Sequence, residues 1–320
     1  MIYLVTGAAG FIGSSLTDAL LSQGNRVVGV DCFRDYYDPA MKRNNILAAS
    51  QKPDFTLVER DLSEGDADWL DEVIPSSGKL VIYHLAAQAG VRKSWGPQFS
   101  IYLNDNVMAT QKLLEWAHRR GNVKNFVFAS SSSVYGDVDK LPLHEEKTVP
   151  RPFSPYGVTK LAAEQLTRLY TRNFGLPSVS LRFFTVYGPR QRPDMAFHKF
   201  ILSVLKAEPV EVYGDGSQTR DFTYVDDIVR GLRLAEKSTG GNVYNLGGGN
   251  RMKLLDVIDI LEDAAGEKVE TDFQPARSGD VRDTQASTEL AERDLGWKPS
   301  TPMLSGLLKE VAWIRENVVT

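Results

Sequence analysis

A single cysteine, Cys32, in 320 residues excludes both an intrachain disulfide and a cysteine-built metal site. Histidine is scarce too: His84, His118, His144 and His198 are scattered without ligand spacing, so no metal is expected. Positive charge is in deficit, with 37 Lys and Arg against 41 Asp and Glu and a net charge of -4. Without a global basic field, neither nucleic acid nor an anionic membrane surface is an expected partner. No apolar run approaches the ~20 residues of a membrane-spanning helix. No charged leader precedes the first apolar run at residues 2–5, so the expected location is the cytoplasm. A hydrophobic content of 42% is still enough for a sizeable core.

Short apolar runs recur at residues 2–5, 27–30, 55–58, 80–85, 126–128 and 179–184. Each is apolar at successive positions rather than alternating, as in strands buried on both faces of a parallel sheet. Helical stretches such as 14–23 and 104–120 separate them, which predicts an α/β fold with a doubly wound parallel (Rossmann) sheet. After Phe184 the chain becomes loop-rich, with Pro189, Pro193, Pro209 and the 214–216 turn. A short helix is expected at 197–206. The βα pattern then returns, with a helix at 225–237 and a strand at 243–246. Helices near 254–265 and 304–317 suggest a smaller mixed α/β C-terminal lobe. The expected division is residues 1–185 plus 221–249 for the sheet domain, and 186–220 plus 250–320 for the lobe.

The first strand enters Gly7-Ala-Ala-Gly10-Phe11-Ile12-Gly13, and a helix comes next. Glycines there admit positive φ and let backbone approach a pyrophosphate at the positive end of the helix. Asp31 closes the second strand, where a carboxylate accepts hydrogen bonds from a ribose diol and repels a 2′-phosphate. NAD is therefore expected rather than NADP. Arg34 is expected to face solvent or the adenine edge. Asp61-Leu62 and Leu85-Ala86-Ala87 end the third and fourth strands, placed to line a dinucleotide.

Tyr156-Gly-Val-Thr-Lys160 puts a phenol and an ammonium on one helix face, about 5–6 Å apart at Cβ. An ammonium that close lowers a tyrosine pKa from about 10, making a general base for an alcohol proton. Any amphipathic helix can carry such a pair, so its surroundings decide its meaning.

Those surroundings resemble the extended short-chain dehydrogenase/reductases that modify nucleotide sugars. The resemblance covers nearly the whole chain. It rests on Gly7-x-x-Gly10-x-x-Gly13, Asp61-Leu62, His84-Leu-Ala-Ala87, Ser130-Ser-Ser-Ser-Val-Tyr-Gly136, Tyr156-x-x-x-Lys160, Arg182-Phe-Phe-Thr-Val-Tyr-Gly-Pro189 and Arg220-Asp-Phe-Thr-Tyr-Val225. It implies Ser131 as the residue bonding the reacting hydroxyl, Tyr156 as base, and Lys160 as the grip on the nicotinamide ribose. It also implies Ser130, Asn106 and Phe183 at the cofactor, Asn106 in a structural role. Without it, Ser131 could simply cap backbone groups and Lys160 be a solvated helix lysine.

Enzymes of this family first oxidise sugar C4, and neighbouring side chains decide the fate of the ketose. The 4,6-dehydratases carry Asp-Glu, and UDP-glucuronate decarboxylases a glutamate, where Ser132 and Ser133 stand here. That argues for return of the hydride, 4-epimerisation. The segments 90–96 and 188–196 are similar to those of UDP-glucuronate 4-epimerases. Ser131, Ser132, Ser133 and Thr185 offer hydroxyls to a C5 carboxylate, and Arg192 a charge-assisted donor. Arg92 and Arg192 could instead make surface salt bridges or a dimer contact. The resemblance further assigns Arg220, Arg277 and Asp280 to the diphosphate and uridine ribose, and Tyr213 to the uracil. An epimerase of neutral UDP-hexoses, a decarboxylase and a non-catalytic nucleotide-binding regulator remain alternatives. Extra apolar stripes on helices 104–120 and 156–174 suggest a homodimer.

Overall fold

Branched and aromatic residues at successive positions build a seven-stranded sheet in the computed structural model, which describes residues 1–249, 251–275 and 281–319. The first elements are β1 (Ile2–Thr6), α1 (Phe11–Leu21), β2 (Arg26–Asp31), α2 (Pro39–Ser50), β3 (Phe55–Glu59), α3 (Leu70–Val73) and β4 (Leu80–His84). A short α4 (Phe99–Tyr102) leads through a π-helical turn, Leu103–Met108, into α5 (Ala109–Arg120). Then come β5 (Val123–Ser131), α6 (Pro155–Phe174), β6 (Ser178–Phe183), β7 (Val186–Tyr187), α7 (Ala196–Leu205) and β8 (Val210–Tyr213). These are followed by β9 (Thr219–Asp221), β10 (Thr223–Tyr224), α8 (Val225–Ala235) and β11 (Gly240–Leu246). The remaining elements are β12 (Arg251–Lys253), α9 (Leu254–Ala265), β13 (Thr271–Gln274), α10 (Glu289–Leu295) and α11 (Met303–Asn317).

The sheet order is β11-β6-β5-β4-β1-β2-β3, every pair parallel. This is the doubly wound order with one added edge strand, and its direction reverses between β1 and β4. Period-two alternation sends Leu4, Val28, Ile82 and Phe126 to one face, against Leu113 and Trp116 of α5. Val5, Val27, Val81 and Val127 point to the other, against Leu16 of α1 and Ile228 of α8. The late return to the βα pattern is α8 and β11, which pairs with β6. Beside the sheet, β8 pairs with β13, and the apolar cluster under Val5 continues through Tyr187 and Phe197 to Leu261 and Ile314.

Two elements differ from expectation in ways that matter for the site. Strand β5 extends to Ser131, because Ser130 and Ser131 keep pairing with Arg182 and Phe183 of β6. The helix expected from 104 is first wound as a π-turn, and only from Ala109 as α5.

Candidate active site

At the end of β1 the chain turns through Gly7 (φ 71°), whose amide donates to the Val30 carbonyl at 2.7 Å. A Cβ on Gly7 would lie 2.8 Å from the Ala86 nitrogen, and one on Gly13 would lie 2.0 Å from the Gly7 oxygen. Only glycine lets turn, helix and β4 exit approach so closely. Gly10 caps α1 without a side-chain hydrogen bond, and no acid stands in the first turn. The amides at Phe11, Ile12 and Gly13 thus present the positive helix end to an anion.

Asp31 is buried at the end of β2, its carboxylate accepting from the amides of Ala9 (3.1 Å) and Phe33 (2.9 Å). Those bonds fix the carboxylate in the cleft wall and leave lone pairs for a diol. Arg34 lines the same cleft and pairs with Asp61 at 2.6 Å and, at 3.0 Å, with Asp105, which the π-turn brings alongside. Burial pushes the Asp105 carboxyl up to about 6, against the pull of Arg34. Leu62, Leu85, Ala86 and Ala87 line the same cleft. An open helix end, a buried acid at the second strand and apolar walls fit an adenine dinucleotide without a 2′-phosphate.

Helix α6 starts at Pro155, with the Ser154 hydroxyl accepting from the Gly157 amide at 3.1 Å. A Cβ on Gly157 would lie 2.5 Å from the Ser133 carbonyl oxygen, so the helix start presses on the turn at Ser132–Val134. This holds Ser131 in hydrogen-bonding reach of the Tyr156 hydroxyl. Burial raises the Tyr156 pKa, and the Ser131 hydrogen bond and the Arg192 charge oppose it. Lys160 donates to the Ala129 carbonyl at 2.8 Å, and burial lowers it to about 7. Lys160 and Tyr156 line the same cleft, as their shared helix face predicts. Spacing puts both on one face, but the ammonium is directed at the sheet and is itself desolvated. Arg192 places a further positive charge near the phenol.

Phe183 and Ser130 line the cleft beside Tyr156 and Lys160. The Ser130 hydroxyl, however, donates to Glu164 at 2.6 Å, and Glu164 takes a buried fork from Arg182 at 2.6 and 3.0 Å. Asn106 accepts from the Gln88 amide (2.7 Å) and donates to Gln88 oxygen (3.1 Å) and Thr159 (3.0 Å), bracing the β4 exit. His84 bonds Thr6 at 2.7 Å and Thr110 at 2.9 Å, and burial lowers it to about 3, so it is a neutral structural tie.

On the other side of Tyr156, a strap at residues 188–194 carries Arg192 into the cleft. Glu310 of α11 accepts from the Gly188 amide at 2.8 Å, and Arg190 pairs with Asp18 of α1 at 2.8 Å. Arg192 grips Asp194 through Nε (2.9 Å) and Nη2 (3.0 Å), and Tyr36 donates to Asp194 at 3.3 Å. Tyr102 stands edge-on to Tyr156, 6.3 Å between rings, held by bonds to the carbonyls of Gly90 (2.8 Å) and Ala89 (3.0 Å). Thr185 is half-buried just beyond β6, and Ser132 and Ser133 form the turn after Ser131. Arg92 lies 5.4 Å over the Tyr213 ring, joining two expected substrate residues from distant segments. Arg220 donates to the carbonyls of Thr219 (2.9 Å) and Arg282 (2.7 Å). Arg277 and Asp280 lie outside the described residues. Sequence reasoning missed Tyr36, Gln88, Tyr102, Asp105 and Asp194. The only hint was the Asp35-Tyr36-Tyr37-Asp38 cluster just after β2.

A doubly wound sheet with a serine, tyrosine and lysine gathered at its carboxyl edge is the arrangement of short-chain dehydrogenase/reductases. More narrowly, the chain belongs to the NAD dependent epimerase/dehydratase family, whose sequence model matches residues 3–247. It is 43% identical to the uncharacterized UDP-glucose epimerase YtcB of Bacillus subtilis over 98% of each chain. It is 38% identical to the UDP-glucuronate 4-epimerase of Thermodesulfobacterium geofontis, over 99% of this chain and 97% of that one. A solved UDP-glucuronic acid 4-epimerase from Bacillus cereus, in complex with UDP-glucuronic acid and NAD, superposes with TM-score 0.92 at 42% identity over 99% of both chains.

Proposed function

We propose that this protein is an NAD-dependent UDP-sugar 4-epimerase that interconverts UDP-glucuronate and UDP-galacturonate. The observation that carries the reading is one cleft lined by Tyr156, Lys160 and Arg192 at the end of the strand that bears Ser131, with serines rather than acids at 132 and 133. The residues that would hold NAD are Gly7 to Gly13, Asp31, Asp61, Leu62, Leu85 to Ala87, Lys160 and Phe183. When bound, NAD supplies a hydride acceptor and donor for sugar C4.

Tyr156 takes the C4 hydroxyl proton, and Ser131 holds the same oxygen. After the ketose turns over, Tyr156 returns the proton to the oxygen on the opposite configuration. The 4-ketouronate is a β-keto acid, which loses CO2 when the breaking bond aligns with the carbonyl π system. The hydroxyls of Ser131, Ser132 and Thr185, with Arg192, would hold the carboxylate out of that alignment. Arg92, Tyr213 and Arg220 take the UDP portion, with Arg277 and Asp280 by resemblance. In this reading residues 1–185 with 221–249 bind NAD, and 186–220 with 250–320 bind the nucleotide sugar.

A neutral UDP-hexose substrate is the second reading, favoured by the pairing of Arg192 with Asp194, which cancels the local charge. Incubation with NAD and UDP-glucuronate, UDP-glucose or UDP-N-acetylglucosamine separately, read by NMR, decides between them. C4 inversion of the uronate without CO2 release is expected; turnover of only the neutral sugars would overturn the uronate reading.

A homodimer through α5 and α6 is also proposed. Leu103 and Met108 of the turn leading into α5, and Leu169 and Phe174 of α6, are each at least 42% exposed. An apolar groove lined by Trp95, Phe99, Phe153 and Val158 adjoins them. Exposed apolar surface of this kind marks protein–protein contacts. Sedimentation at micromolar concentration is expected to give twice the 35.6 kDa chain mass, and a monomer would remove the idea.

A further inference from the structure

We propose that Asp194 is a resident counter-ion that an incoming hexuronate must displace from Arg192, and that Tyr36 receives Asp194 when it is displaced. The proposal rests on the uronate reading above and names how that reading is enforced. Arg192 lines the cleft beside Tyr156, yet its Nε and Nη2 edge is already closed by both oxygens of Asp194, at 2.9 and 3.0 Å. A guanidinium edge takes one carboxylate as a fork. A substrate carboxylate reaching that edge therefore exchanges with Asp194 rather than adding to it.

The exchange trades one charge-assisted fork for another, so its net free energy is small and its direction depends on what happens to Asp194. Burial works against that carboxylate, and the Arg192 guanidinium and the Tyr36 hydroxyl hold its pKa below the usual range. Without Arg192, a desolvated carboxylate needs another donor. Tyr36 is in place, its hydroxyl 3.3 Å from Asp194 Oδ2. That hydroxyl lies against the Gly90 backbone, where a Cβ would fall 2.4 Å from it, and Lys93 lies 4.6 Å over the ring. His198, Tyr37 and Tyr102 are further titratable neighbours that couple to Asp194. A neutral hexose brings no carboxylate and leaves the pair closed. Asp194 and Tyr36 are thus specificity-determining residues that act through Arg192.

Two substitutions on opposite sides of the exchange test this. Asp194→Asn removes the competitor, and UDP-glucuronate is expected to bind about fivefold tighter, the worth of one net hydrogen bond. Tyr36→Phe removes the recipient, and UDP-glucuronate is expected to bind about fivefold weaker. Titration calorimetry of the NAD-loaded protein with UDP-glucuronate, UDP-glucose and UDP reads both, with the last two ligands expected to stay within about twofold. Asp194→Ser replaces Asp194→Asn if the latter does not fold. A packing defect would move both variants in one direction or all three ligands together, and either result overturns the proposal. If wild-type protein fails to bind or convert UDP-glucuronate, the substrate reading itself has failed, which is a separate outcome.

Discussion

Replacing Tyr156 with phenylalanine is expected to lower turnover of UDP-glucuronate by about 10²–10⁴-fold, the range that a positioned acid–base group supplies. The substitution removes one oxygen and leaves the ring where it stands, edge-on to Tyr102. Neither the glycine turn of the cofactor cleft nor the Arg92–Tyr213 contact includes that oxygen, so UDP affinity is expected to hold. The loss should therefore appear in kcat. Ser131 alone cannot replace the phenol, because its hydroxyl also accepts from the Ser133 amide at 3.2 Å. NMR of the anomeric signals gives turnover, and calorimetry with UDP gives binding. Turnover within threefold of wild type would sink the assignment of Tyr156 as the base.

The second large effect lies just behind the site. Glu164→Ala is expected to destabilise the fold by about 3–5 kcal/mol, because it strands a buried guanidinium. Glu164 is fully buried and Arg182 almost so. The lost carboxylate also serves the Ser130 hydroxyl. Against a typical total of about 5–15 kcal/mol, this is a large share of what keeps the chain folded. Urea unfolding followed by circular dichroism measures it. Combining Glu164→Leu with Arg182→Met should recover most of the loss, since an apolar pair leaves no unpaired charge. A single variant losing under about 1 kcal/mol would mean that Arg182 finds another partner.

How far each element could be read from the sequence depends on its composition. Strands β1, β2, β4 and β6 declared themselves because both faces are buried, which forces apolar residues at successive positions. Helix α2 escaped notice because its buried positions are Lys42, Asn45, Ile46 and Ala49, which make no apolar stripe. The end of β5 was hidden for a similar reason: its last residues are serines, tolerated in the sheet because Glu164 accepts the first hydroxyl. In the site, the glycine turn and the Tyr156–Lys160 pair were legible because local geometry fixes their spacing. Arg34, Asp105, Tyr36 and Asp194 were not. Their meaning comes from pairings across 71 residues (Arg34 with Asp105) and 158 residues (Tyr36 with Asp194), and periodicity carries no such information. The same limit hid the bond from Lys160 to the Ala129 carbonyl. Spacing on a helix gives a Cβ separation, whereas the direction of an ammonium is set by the sheet it packs against.

The strap at 188–194 has a kinetic consequence. It is tied to α11 through Glu310, to α1 through Arg190 and Asp18, and to the loop after β2 through Asp194 and Tyr36. The helix that offers its amides to the dinucleotide is thus fastened to the segment that carries Arg192. Rearranging Arg192 breaks only its fork with Asp194, whereas widening the cleft around the dinucleotide breaks ties at several anchors together. Residence times for the two ligands should separate accordingly, with many sugar nucleotides passing through for each dinucleotide released.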